Sequence, residues 1–70
     1  MKDIGRKIKQ IREYKGLTQK ELAKLSGVKY TTLTKLETGV IVDPKLSQIT
    51  KLLAALEITF EQLESITVNT

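Results

Sequence analysis

Seventy residues without one cysteine or histidine exclude a disulfide framework, thiolate chemistry, imidazole catalysis and the commonest zinc ligands, and leave room for a single domain with one modest core. The net charge of +4 is unevenly placed: residues 1–35 hold ten Lys or Arg against three acids, a balance of +7, and residues 36–70 hold two lysines against five acids, a balance of −3. A basic half beside an acidic half points to a polyanion on one side only, the competing reading being an uneven solvated surface. The start, MKDIGRKIKQ, is charged and lacks the apolar stretch of a signal peptide, and the longest apolar run, Leu52 to Leu56, is too short to span a bilayer. With cysteine absent, these features predict a soluble cytoplasmic protein with no membrane contact.

In chain order, Ile4, Ile8 and Ile11 mark the stripe of a first helix that Gly16 ends. Thr18 with Glu21 forms a capping box and Leu17 with Leu22 a hydrophobic staple, so a second helix starts there. It carries Leu22, Ala23 and Leu25 and stops at Ser26-Gly27. A third helix is predicted from about Lys29 to Thr38, docked through Val28, Leu33 and Leu36, with Gly39 past its end. Asp43-Pro44 reads as the opening of a fourth helix, a cap followed by proline at the first helical position, with Leu46, Ile49, Leu52, Leu53 and Leu56 as its apolar face. Thr59 with Gln62 is a second capping box and Ile58 with Leu63 a second staple, around a last short helix containing Phe60. Only SITVNT at the C-terminus alternates like a strand, and it reads as a frayed tail. The expected fold is all-α: a compact bundle of five short helices in one domain over residues 1–70, its core at about 4–64 and a tail at 65–70.

The third helix has an odd composition. Tyr30, Thr31, Thr32 and Thr34 stand where a surface helix normally carries Ala, Glu or Lys, and three threonines cost roughly 1–2 kcal/mol against alanine. Only a few residues separate it from the second helix. Leu22 and Ala23 allow close approach, and Gly27 permits a left-handed turn. This is the helix-turn-helix spacing, in which the second helix can be presented to a DNA major groove. Lys35 can donate to guanine O6 or N7, and threonines offer a hydroxyl for phosphates or base edges and a methyl for thymine. The competing reading is a merely solvated Thr-rich face.

The run LTQKELAKLSGVKYTTLTKLETG resembles the phage repressor and Cro-like helix-turn-helix family, also called the XRE family, and the likeness extends from Ile4 to about Leu63. The resemblance implies a lambda-repressor-like domain that binds double-stranded DNA. It places Gln19 against phosphate and as a brace for the recognition helix, and Lys29, Tyr30, Thr31, Thr34 and Lys35 toward the major groove. It places Thr38 and Lys45 near the flanking backbone, and pairs Arg12 with Glu37 as a structural ion pair between the first and third helices. The pairing also has a residue-level reason: an acid in the last turn of a helix opposes the macrodipole and needs a compensating cation.

Two positions depart from the family pattern. Lys29 stands where Ser, Thr or Asp usually caps the recognition helix, and a lysine cannot accept from the free N–H groups. A nearby phosphate would relieve that, which marks Lys29 as a backbone contact. Val40 and Val42 occupy a loop where relatives often carry basic residues. Packing under the loop is the expected reason, an apolar surface for a subunit or partner the alternative.

The carboxylates are scattered and no nucleophile, base, metal cluster or phosphate-binding glycine loop accompanies them, so neither an enzyme nor a cofactor is expected. The leading expectation is a sequence-specific transcriptional repressor binding a pseudo-palindromic operator as a homodimer, with no effector domain for a small ligand. The alternative is an antitoxin-like module whose acidic half holds a protein partner. RNA is disfavoured because the recognition face carries one aromatic rather than a paired stacking platform.

Overall fold

In the computed structural model, which describes residues 4–67, the isoleucine stripe becomes the buried face of α1 (Ile4–Tyr14), and Gly16 ends that helix with φ +73°. Helix α2 (Gln19–Ser26) starts where its capping box predicts. Thr18 Oγ1 accepts the Glu21 N–H at 3.1 Å, and Glu21 Oε1 accepts the Thr18 N–H at 2.9 Å. The Thr18 backbone N–H foremost, and the Thr18 side chain after it, hold the Glu21 carboxyl below the usual carboxylate range. Gly27 follows in the left-handed conformation, and α3 (Tyr30–Glu37) runs between Lys29 at its N-cap and Thr38 at its C-cap. Helices α4 (Leu46–Leu56) and α5 (Phe60–Ser65) complete the bundle. The second capping box is present at the start of α5, where Thr59 and Gln62 exchange bonds of 2.8 and 3.0 Å.

One core joins all five helices: Ile4, Ile8, Ile11, Leu22, Val28, Leu33, Leu36, Ile49, Leu52, Leu53, Leu56 and Leu63 are buried, with Leu17, Ile41 and Ile58 packed at its margin. α2 lies between α3 and α4, and α1 crosses α3. That crossing is close at Gly5. A Cβ there would run into the backbone carbonyl of Leu36, so only an α-hydrogen fits between the helices.

Four sequence expectations are corrected. Asp43-Pro44 does not open α4; Lys45 is its N-cap. A start at Asp43 would put Leu46 at the third helical position, where it cannot return a bond to the cap. A start at Lys45 puts Gln48 there, and its Oε1 accepts the Lys45 N–H at 3.3 Å. Leu46 is then exposed, one turn ahead of Ile49, the first buried residue of α4. Leu25 is exposed too. At about 100° per residue it lies well round α2 from the face shared by Leu22 and Ala23. Val40 and Val42 do not pack under their loop; Ile41 between them does so instead. In the tail, Ile66 packs against the core at its margin, and residues 68–70 of SITVNT lie outside the described residues.

Candidate nucleic-acid interface

The last turn of α3 is fastened by a side-chain network. Arg12 Nε donates to Glu37 Oε2 at 2.8 Å and Arg12 Nη2 to Glu37 Oε1 at 3.0 Å, a bidentate pair in which both residues are buried. The third arm of the guanidinium, Nη1, donates to the Leu17 carbonyl at 2.7 Å, and Gln19 Nε2 donates to Glu37 Oε1 at 2.9 Å. The hydrogen bond to Glu37 raises the Arg12 pKa against the opposing effect of burial. Among the described residues no buried side-chain nitrogen or oxygen lacks a partner. Desolvation, which makes an isolated buried charge costly, is therefore met by a complete set of bonds. One network ties the end of α1, the α1–α2 turn, the start of α2 and the end of α3.

The turn between α2 and α3 is braced from within. Ser26 Oγ donates to the Ala23 carbonyl at 3.4 Å and accepts the Val28 N–H at 3.2 Å, while Gly27 supplies the positive φ. Val28, Leu33 and Leu36 then seat α3 on the core. Residues Thr31, Thr34, Lys35 and Thr38, spaced i, i+3, i+4 and i+7, form the outer row of α3 away from Leu33. Thr31, Lys35 and Thr38 are exposed and Thr34 is half-buried, with Tyr30 exposed at the helix start.

Two of these hydroxyls spend their protons on the helix itself. Thr34 Oγ1 donates to the Tyr30 carbonyl at 3.0 Å and Thr38 Oγ1 to the Thr34 carbonyl at 2.8 Å. What Thr34 and Thr38 keep for a ligand is acceptor capacity and a methyl group, so donation from this row falls to Lys35 and Thr31. At the other end, Lys29 makes no side-chain cap. The first N–H groups of α3 thus have no side-chain cap, and they lie beside an exposed lysine. Lys45 is exposed at the start of α4, across the loop from Thr38.

The structure thus brings Arg12, Gln19 and Glu37 together in one cluster, and lines Thr31, Thr34, Lys35 and Thr38 along one side of α3. It sets Lys29 with Tyr30 at the helix start, and keeps Lys45 apart on the next helix. Sequence reasoning missed Ser26 and Gly5. Ser26 is legible as a helix-end hydroxyl that can bond back to the backbone, but the role of Gly5 needs the crossing of α1 over α3. Among the described residues no three His, Cys, Asp or Glu side chains group as a metal site, and no helix is long and apolar enough to cross a membrane.

Comparison with known proteins agrees with this architecture. The family model described as helix-turn-helix matches residues 8–63. An uncharacterized HTH-type transcriptional regulator of Bacillus subtilis, RghRB, is 35% identical over 63 residues, which is 90% of this chain and 45% of that protein. The glutamine–fructose-6-phosphate aminotransferase of Methanocaldococcus jannaschii is 37% identical over 60 residues, 86% of this chain but 6% of that enzyme. The chain therefore spans less than half the length of the curated relatives it matches.

Proposed function

The chain belongs to the XRE-like helix-turn-helix family of DNA-binding proteins, and from that premise we propose that it is a sequence-specific transcriptional regulator, a repressor, that reads a pseudo-palindromic operator in the cytoplasm as a homodimer. Helix α3 enters the major groove. Lys35 donates to base edges, Thr31 and Thr34 offer methyls and oxygens to them, and the Tyr30 ring lies along the groove wall. Lys29, Gln19, Thr38 and Lys45 meet the phosphates that flank the site. The observation that carries the reading is the contrast on α3 itself, a C-terminal turn saturated by Arg12 and Gln19 and an outer row and N-terminus left open. The aminotransferase likeness adds no catalytic role, since it covers so small a part of that enzyme.

Selection of duplex sites from a random pool, followed by titration of salt, tests the proposal. If each subunit neutralises about four phosphates, the slope of log affinity against log salt is near −7 for a dimer. An affinity that ignores salt, or no selected site at low salt, refutes it.

A further inference from the structure

On the outer row of α3 the side chains differ in what they can still bond. Thr34 Oγ1 donates to the Tyr30 carbonyl at 3.0 Å, four residues back. A helical threonine divides between two rotamers, and a bond of this kind selects one of them, so the places of its oxygen and its methyl are settled. Thr31 is exposed, and its hydroxyl has no hydrogen-bond partner among the described residues. It can turn to donate or to accept, whereas Lys35 has donors only. Back-bonds such as that of Thr34, and the 2.8 Å bond from Thr38 to the Thr34 carbonyl, weaken a helix slightly, so the stability of α3 does not account for them.

Each of these states suits a different base edge. In the major groove guanine presents acceptors alone, adenine an acceptor and an amino donor, cytosine an amino donor, and thymine an acceptor and a methyl group. A hydroxyl whose proton is committed can only accept, so an amino group attracts it and the guanine edge repels it. A fixed methyl beside that oxygen is complementary to the methyl of thymine. Amino donor and methyl stand together in one pair only, adenine with thymine. We infer that Thr34 is a specificity-determining residue of α3: it selects an A·T pair at one position of each half-site, Oγ1 meeting the adenine amino group and Cγ2 the thymine methyl.

The neighbours of Thr34 on the row do other work. Thr31, free to turn, tells the pairs apart less well, and Lys35 takes the opposite edge, guanine. Thr38 stands at the C-cap, past the helix, while Thr34 lies between Thr31 and Lys35. The inference rests on the DNA reading above and names a base pair that this reading leaves open.

Selection of duplex sites by wild type and by Thr34→Ala, run side by side, locates the pair. Alanine keeps the helix and removes both groups. The wild-type sites are expected to hold A·T at one position of each half-site, with a preference over G·C of about fivefold or more that the variant loses. Base analogues at that position then separate the two contacts. Purine in place of adenine removes the amino group and weakens wild type about fivefold, and uracil in place of thymine removes the methyl and weakens it about fourfold. Thr34→Val, which keeps the methyl and lacks the hydroxyl, loses only the response to purine. Thr34→Ser loses only the response to uracil. Purine also weakens the pair itself, so its effect is read as the difference between the proteins. The analogue measurements on wild type need no altered chain, so a variant that misfolds leaves the test intact. A G·C pair at the position, no position that depends on Thr34, a wild type indifferent to both analogues, or responses that survive in both variants overturns the inference. If that happens while a selected site is bound with steep salt dependence, the DNA reading stands and the role of Thr34 falls. If wild type selects no site, both fall.

Discussion

At its C-terminal end α3 is held by several parts of the fold at once: Arg12 from α1 and Gln19 from α2 on Glu37, and the bare α-carbon of Gly5 against the Leu36 carbonyl. At its N-terminal end Lys29 offers no acceptor to the first turn, although Thr18 and Thr59 cap α2 and α5 in full. The two ends differ in what completes them. The C-terminal end is finished by the protein's own side chains and fixes where the helix stands; the N-terminal end has no side-chain cap, and in the function proposed above a phosphate completes it. On that proposal the helix is positioned before DNA arrives and gains stability when it does.

The largest expected effect breaks the finished end. Arg12→Ala removes one partner of a buried pair and leaves Glu37 with only Gln19, so the fold loses about 3–5 kcal/mol. Urea denaturation measures the loss. Replacing Arg12 and Glu37 together by methionine costs less than the sum of the single changes, because no charge is then left buried alone. A coupling below about 0.3 kcal/mol between the two positions would reduce the network to the level of an exposed pair and erase the contrast between the ends.

Gly5→Ala attacks the same end without touching a charge. The added methyl meets backbone rather than a flexible side chain, so α1 must move away from α3, at a cost of about 1–3 kcal/mol. The Arg12–Glu37 bonds stretch with it, and exchange protection of the Arg12 Nε–H reports the displacement. A variant as stable as wild type, with that protection unchanged, would show that α1 does not set the height of α3.

How much of this was legible beforehand follows from which interactions are local. Both capping boxes, the Gly27 turn and the phase of α3 involve residues within a few positions, and their side chains announce them. The Arg12–Glu37 pair spans 25 residues, and its clue was the misfit of an acid with the helix dipole, sharpened by family resemblance. Where local signals compete, the sequence misleads. Asp43-Pro44 is a good helix start in isolation, and loses to Lys45 because Gln48 is better placed to answer. Leu25 and Leu46 carry core-like side chains at helix positions that nothing covers, which only packing decides. Gly5 carried no local signal, since its role exists only where two distant segments cross.

Lys35→Ala sharpens the contrast on the DNA side. Lys35 stands on the outer row in the last turn of α3, two residues before Glu37, and in the function proposed above its long donor reaches base edges. Its loss is expected to cost about 1–3 kcal/mol on the preferred site and to relax the choice at one position in each half-site. A panel of single-base operator changes reads both effects. Uniform weakening across the panel would move Lys35 from the reading role to the backbone.

The smallest effect concerns the open end and has two signs. Lys29 has a non-helical backbone, φ −58° and ψ 139°, so a serine there can cap α3 without rearrangement. Its hydroxyl oxygen would accept an N–H of Thr31 or Thr32, and a cation would leave the positive end of the helix dipole. Lys29→Ser is therefore expected to stabilise the free protein by up to about 1 kcal/mol. On DNA the same change removes a charge from the phosphate side, so all sequences weaken alike and the salt slope flattens by about one unit per subunit. Thermal unfolding of the free chain and salt titrations on two unrelated operators separate the two halves of the argument. A stabilised variant that keeps the full salt slope would mean that the open end is an uncapped helix and nothing more. A variant that changes base preference would mean that Lys29 reads bases.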